Sequence, residues 1–364
     1  MRVIQTYQAN RDAFCKKAFQ CGARLYHLPY AGSADPDLAT DIAVLGDDDA
    51  ENVIAISSGL HGVELPAGSL VQQIALDKIK DRHFKTTKFV FVHALNPYGA
   101  KYSLRTDRGE GPSRNIDPAR NFLDFASPDF IATSANPAIA SAFDKASLSN
   151  SSLSMMWARL LYTAFIEQGQ STFKRNFVRG QYTDPSLPYY GGDTACFTRL
   201  TWEHIVRHEI LKPAARKIYH FDCHTGDGPF GVLQLYLCAK AGKHTRQLAE
   251  KLTTPEKIKT TDDYFAQVTG DIGDYWASFD VPEGTQIYPI TLEFGTTQAR
   301  VSGIDVLGAI LNRTLLSEKY NDDHPQKDQI IQKMCTAFTP TQKEWSDVVM
   351  NQSHDIWERF LTLE

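Results

Sequence analysis

The sequence predicts an α/β fold, a β-sheet with helices on both faces. Three observations carry that expectation. Short runs rich in β-branched and aromatic residues recur along the chain. Segments with helical apolar spacing separate them. Two of the runs, residues 53–57 (VIAIS) and 89–92 (FVFV), are almost continuously apolar, as strands covered on both faces are.

Taken in order, residues 24–28, 41–45 and 53–57 read as strands. A helix over 67–79 opens after Pro66, a residue suited to a first turn because its missing N–H has no partner there anyway. Residues 88–93 form the next strand, and 157–168 and 202–211 have helical spacing. Further strands fall at 218–222, 232–237 and 288–293. The serine-rich stretch 147–154 (SLSNSSLS) reads as an exposed linker loop. Residues 319–328 (KYNDDHPQKD) are a polar break. Beyond it, 342–361 places Trp345, Val348, Val349, Ile356 and Phe360 at helical intervals, as in a helix docked on the rest of the chain. No internal repeat interrupts this order.

Composition excludes several classes. The 364 residues are 42% apolar and 22% charged, the mix of a globular protein, not of a disordered chain or a disulfide scaffold. Lys plus Arg number 38 against 43 Asp plus Glu, a net charge of −5, so nothing draws the chain generically to nucleic acid or to an anionic membrane. No apolar run approaches the roughly 20 residues that span a bilayer. The first residues, MRVIQTYQAN, lack the apolar core of a signal peptide. The six cysteines include no C-x-x-C pair. Together these features lead us to expect a cytoplasmic protein with reduced thiols and no nucleic-acid or membrane partner.

The sharpest local feature is His61-Gly-Val-Glu64, at the end of an apolar strand and ahead of a helix. In open α/β sheets, sites form outside the carboxyl ends of strands. An imidazole and a carboxylate three residues apart can face one Zn²⁺ from such a turn, and a catalytic zinc needs a third protein ligand. His224, in Tyr219-His-Phe-Asp-Cys-His224, ends another strand. Alternation puts His220, Asp222 and His224 on one face and Cys223 on the other, as a core residue. Asp222 is placed to support His224 from behind or to line the site. Glu293 ends the strand at 288–293 and is either a general base or half of a structural ion pair. Arg105, Arg108, Arg114 and Arg120 lie in one stretch, suited to a carboxylate or an oxyanion, or else paired with Asp107, Glu110 and Asp117 as a solvated loop. Two further patterns do not fit their usual contexts. Gly226-Asp-Gly228-Pro-Phe-Gly231 runs into a strand instead of opening a helix, and His204 with His208 lacks the Glu of a zinc-binding H-E-x-x-H helix.

The set GLHGVELPAGS (59–69), HALNPYG (93–99), ARNF (119–122), GQY…PYYGG (180–192), DCHTGDGPFG (222–231) and LEFGT (292–296) resembles the zinc metallocarboxypeptidase superfamily, the carboxypeptidase A-like hydrolases. It looks most like a bacterial branch that is a domain of unknown function, and more distantly like aspartoacylase and succinylglutamate desuccinylase. The resemblance covers roughly residues 10–315. It implies a mixed, largely parallel sheet sandwiched between helices, with a C-terminal helical extension. It divides the chain into a catalytic domain at 1–318 and an extension at 319–364 packed on it. It implies one Zn²⁺ held by His61, Glu64 and His224, Glu293 as the base, Arg105 at the scissile carbonyl, and Arg120 with Asn121 at a substrate carboxylate. The superfamily has Asn-Arg where this chain has Ala119-Arg120, so the Asn amide is missing. The expected function is zinc-dependent hydrolysis of a peptide-like amide in a substrate with a free carboxylate. The alternatives are deacylation of an N-acyl amino acid, and an inactive, zinc-stabilised binding module.

Overall fold

The structure is a computed structural model and describes residues 3, 5–82, 84–110, 114–128, 130–260, 268–297 and 304–363. Its frame is an eight-stranded sheet. The strands are β1 (Arg24–Pro29), β2 (Ala39–Leu45), β3 (Asn52–Ser58), β4 (Thr87–His93), β5 (Lys217–Pro229), β6 (Leu233–Leu237), β7 (Ile258–Thr260) and β8 (Gln286–Thr297). Their order is β1-β2-β4-β3-β5-β8-β6-β7. The centre, β4-β3-β5-β8, is parallel throughout. Antiparallel pairs β1·β2, β2·β4 and β6·β8 flank it, and β7 joins β6 in parallel. The sheet is therefore mixed and largely parallel.

Side-chain alternation sorts the core. Ile54 and Ile56 of β3 join Tyr219, Phe221 and Cys223 of β5 on one face. There they meet α1 (Tyr7–Gln20), α2 (Leu65–Ile79) and residues of the last helix. Val53 and Ala55 join Ile218 on the opposite face, against Trp202, Ile205 and Trp276. Between β4 and β5 the chain forms α3 (Pro97–Tyr102), α4 (Pro137–Asp144), α5 (Asn150–Tyr162), α6 (Gln170–Val178) and α7 (Phe197–Ile205). After β6 come α8 (Lys243–Leu252), then α9 (Ile304–Tyr320), α10 (Lys327–Phe338) and α11 (Lys343–Leu363). A third apolar cluster joins α4, α5 and α6 to α9 and α10 through Phe143, Leu160, Phe173, Leu311, Leu315 and Ile330.

Three elements depart from the sequence reading. The stretch 147–154 is not a loop: Ser149 caps α5, its Oγ accepting the Ser152 N–H, and α5 begins at Asn150. Serine suits a cap because its hydroxyl satisfies an otherwise orphaned backbone N–H. β5 runs seven residues past the expected end at 222, because β8 pairs alongside it as far as Thr297. The polar stretch 319–328 is only in part a break, since α9 runs to Tyr320 and α10 begins at Lys327. The amphipathic tail is a helix as expected, with Trp345, Val349, Ile356 and Phe360 buried and Val348 exposed. Among the described residues no helix is long and apolar enough to cross a membrane.

Candidate metal centre

β3 pairs with β4 on one side and β5 on the other, and the chain leaves β3 toward one neighbour while β5 continues toward β8. The crevice beyond the carboxyl ends of β3 and β5 is the switch point where α/β sheets form sites. The segment after β3 makes a tight turn there. Gly59 has φ +69°, and a Cβ on Gly62 would lie 1.9 Å from the Ala100 nitrogen, so the turn presses against α3 and tolerates no side chain. This close packing sets His61 and Glu64 at the crevice, both buried.

His224 comes to the same point from β5. Residues His61, Glu64 and His224 each offer a ligand atom within 4.8 Å of the others. The His61 Nδ1 lies 2.9 Å from Glu64 Oε1 yet makes no hydrogen bond, a buried polar atom with its lone pair left over. The His224 Nδ1 lies 3.0 Å from Glu64 Oε2, which also accepts the Thr225 N–H. Both outer nitrogens are held by carboxylates: His61 Nε2 lies 3.0 Å from Asp117 Oδ1, and His224 Nε2 lies 2.6 Å from Asp222 Oδ2. Arg105 Nη2 also lies 3.0 Å from His61 Nε2; carboxylates behind imidazoles orient the rings so that both Nδ1 atoms face the centre. An unsatisfied Nδ1, a second Nδ1 and a carboxylate converge on one point, three donors of the kinds that hold a metal ion. The residues present therefore fit a divalent metal. Asp117 was read in the sequence only as a partner for the arginines; the structure turns it to His61.

A hydrogen-bonded chain extends the support behind His224. The Trp276 indole N–H donates to His220 Nδ1 at 3.1 Å. An indole can only donate, so that nitrogen accepts and the proton sits on His220 Nε2. Nε2 lies 2.9 Å from Ser57 Oγ, and the Ser57 hydroxyl donates to Asp222 Oδ1 at 2.6 Å. Burial pushes His220 down to about 4, consistent with the neutral ring that this chain requires. Every direction in it ends on Asp222 as the acceptor of His224 Nε2–H. Strand alternation already placed His220 on the face of Asp222 and His224; Ser57 and Trp276 carry no motif that the sequence reading could have used.

The charges follow from this geometry. Burial raises Glu64 and Asp117, but the neighbouring imidazoles and arginines outweigh it and hold both carboxyls well below the usual range. Burial lowers His224, but Asp222 and Glu64 outweigh it and hold the ring well above the ordinary histidine range. Glu293 moves the opposite way. Burial, then the charge of Glu64, push it up to about 8. β8 pairs in register with β5, so Glu293 stands directly beside His224. Its Oε1 accepts the Asp227 N–H at 2.8 Å.

Of the arginines, Arg105 is the one at the centre. It donates to Glu64 Oε1 at 2.8 Å and lies over the rings of Tyr189 and Phe338. Arg108 lies over Tyr98 instead, and Arg114 is exposed. Arg120 lines the same cavity as Arg105. Its Nε and Nη2 hold the Val178 carbonyl at 2.9 and 2.7 Å and its Nη1 holds that of Ala119, so that among the described residues two of its five N–H groups have no hydrogen-bond acceptor. Asn121 does not reach the cavity, contrary to the sequence expectation. Its amide donates to the Gly191 and Thr194 carbonyls and accepts the Cys196 N–H, so it braces the neighbouring loop. His204 and His208 stack on each other 4.0 Å apart, away from the centre.

The centre opens into a cavity of about 560 Å³, a volume that suits a small organic ligand. Sheet and site together define the class: a mixed α/β protein with a His–Glu–His cluster at its strand ends. The chain belongs to the DUF2817 family, whose model, "Protein of unknown function (DUF2817)", matches residues 4–352. Among curated proteins none matches its sequence. Solved structures similar to it include carboxypeptidase A from Helicoverpa armigera, at 10% identity and a TM-score of 0.45, covering 93% of this chain and 75% of that one. A metallo-carboxypeptidase from Pseudomonas aeruginosa is similar at 8% identity and 0.46, covering 97% and 68%. An aspartoacylase family protein from Mesorhizobium loti is similar at 10% identity and 0.39, covering 81% and 66%.

Proposed function

We propose that this protein is a zinc-dependent hydrolase of amide bonds, with His61, Glu64 and His224 as the metal ligands. The observation that carries the reading is the pair of Nδ1 atoms facing Glu64 while both Nε2 atoms face carboxylates. Two imidazoles and one carboxylate suit zinc and leave room for a reactant. A zinc ion held there supplies a Lewis acid for a carbonyl and acidifies a water.

The rest of the work falls to the chain itself. Glu293, beside His224, takes the proton of the attacking water and returns it to the leaving amine. Arg105 directs its guanidinium at the oxygen on which negative charge develops. Arg120, anchored on its far edge by backbone carbonyls, offers its two remaining N–H groups to a substrate carboxylate. An inactive binding module accounts less well for a buried carboxylate in register with a ligand, since such a group costs stability unless it is used.

A second reading keeps this chemistry and changes the substrate to an N-acyl amino acid. Two features favour it. Ala119 supplies no amide beside Arg120, and Arg120 spends three donors on backbone. The test is a mass-spectrometric screen of zinc-loaded protein against free peptides, C-terminally amidated peptides and N-acyl amino acids. Zinc-dependent cleavage that requires a free carboxylate supports the reading. Equal turnover of amidated and free substrates removes Arg120 from its role, and no cleavage in any class contradicts the hydrolase assignment.

A further inference from the structure

We propose that the substrate is an amide of a long, unbranched acyl group, with a chain of about ten carbons lying in an apolar cleft that leads away from the metal centre. The proposal rests on the hydrolase reading for the reacting end and adds the identity of the other. The C–N bond breaks, the water oxygen stays with the acyl group as a fatty carboxylate, and Glu293 carries the proton to the released amine.

The cleft wall is one helical face. Trp157, Leu160, Leu161, Ala164 and Phe165 all line the cavity. Trp157, Leu160 and Leu161 stand at i, i+3 and i+4 of α5, the spacing of a single stripe, and Ala164 and Phe165 follow in the π-helical turn Thr163–Glu167 that continues it. Leu307 and Ile310 of α9 line it as well. The charged residues of the lining (Glu64, Arg105, Arg120, Asp227, Asp271 and Glu293) come from the strand ends and the loops beside them. Among the described residues α5 and α9 contribute none. The cavity is thus polar where the chemistry takes place and apolar beyond it.

Length selects the ligand. From Trp157 to Phe165 is eight residues, at most about 12 Å at the α-helical 1.5 Å per residue, since the π-helical turn from Thr163 rises less. An extended chain covers about 3.3–3.6 Å per three bonds, so about ten bonds match that wall. A methionine side chain reaches less than half as far. The far end also carries an unusual surface. Leu161 and Phe165 belong to the lining yet are 38% and 57% exposed. Met155, Tyr162 and Ile166 are exposed next to them in sequence. Apolar side chains gathered at a cavity rim mark a place that something apolar covers. An acyl chain leaving the cleft covers Leu161 and Phe165.

The experiment uses n-alkanohydroxamic acids from about two to about fourteen carbons, titrated by calorimetry into zinc-loaded protein. The hydroxamate chelates zinc whatever amine the natural substrate carries, so only the chain varies. Kd should fall about threefold to fourfold per added methylene, the worth of one buried CH₂, and level off near ten carbons. Leu307→Trp, which narrows the cleft, should make the levelling begin at a shorter chain. A Kd independent of chain length overturns the proposal while leaving the metal site standing. A levelling point unmoved by Leu307→Trp places the chain elsewhere and overturns it too. The same Kd values in zinc-stripped as in zinc-loaded protein, with the chain dependence intact, would support the cleft and contradict the metal-centred reaction.

Discussion

Each site histidine has a carboxylate at its outer nitrogen, and this makes single residues testable. Asp117 has no contact with the reacting atoms and acts through His61. Asp117→Asn should keep the fold and weaken zinc binding about 10- to 100-fold, the usual loss when such a carboxylate is removed. Unchanged affinity in a metal-buffered titration would deny Asp117 that role. Glu293 and His224 carry a pH dependence. Both are held above their ordinary values, Glu293 by burial and Glu64, and His224 by Asp222 and Glu64 against its burial. Near neutral pH each therefore retains a proton that an incoming cation disfavours. The deprotonated form is the one that binds, so apparent zinc affinity should rise with pH and binding should release protons. Calorimetry in buffers of different ionisation enthalpy counts them. Glu293→Gln should release fewer, and an unchanged count would mean that Glu293 does not sense the metal. The same variant should retain zinc and lose about 10²–10⁴ in turnover, the worth of a positioned base. Lost zinc would make Glu293 a ligand. Lost stability with activity kept would make it half of an ion pair. The proposed ligands His61 and Glu64 were legible as candidates because a strand end followed by His-x-x-Glu is a local pattern. Asp117 was not, because 56 residues separate it from His61 and only the fold brings them within 3.0 Å.

Elements carry the site through their packing. The sheet strands were legible to within a few residues at most ends, since runs such as 53–57 and 89–92 depend on burial that the sequence itself encodes. β7 was missed because three residues give no periodicity. The far half of β5 was missed because Gly226 and Gly228, with φ +129° and +98°, look like a turn and become strand only with β8 alongside. The serines before α5 were misread because serine serves caps and loops alike. At the C-terminus, we propose that residues 319–364 are integral to the domain on which they pack. Phe338 of α10 lies under Arg105, and Trp345 of α11 is fully buried, its indole donating to the Gly295 carbonyl at 2.9 Å, two residues beyond Glu293. Trp345→Ala should cost about 3–5 kcal/mol in chemical denaturation, as for other buried large-to-small changes. A loss below about 1 kcal/mol would mean that the tail is only loosely applied.

At the scale of the whole molecule, one arrangement joins fold and chemistry. The sheet's switch point gathers His61, Glu64 and His224, the neighbouring strand β8 sets Glu293 in register beside His224, and helices between β4 and β5 line an apolar cleft over the opening. If that arrangement exists to bind one metal ion, metal stoichiometry is its most direct readout. The measurement is zinc titrated into chelator-stripped protein, with bound metal determined by mass spectrometry, for the native chain, His61→Ala, His224→Ala and a His204→Ala/His208→Ala control. The native protein and the control should bind one equivalent, with the ligand variants folded and binding none. A full equivalent retained by folded His61→Ala would contradict the account at its centre.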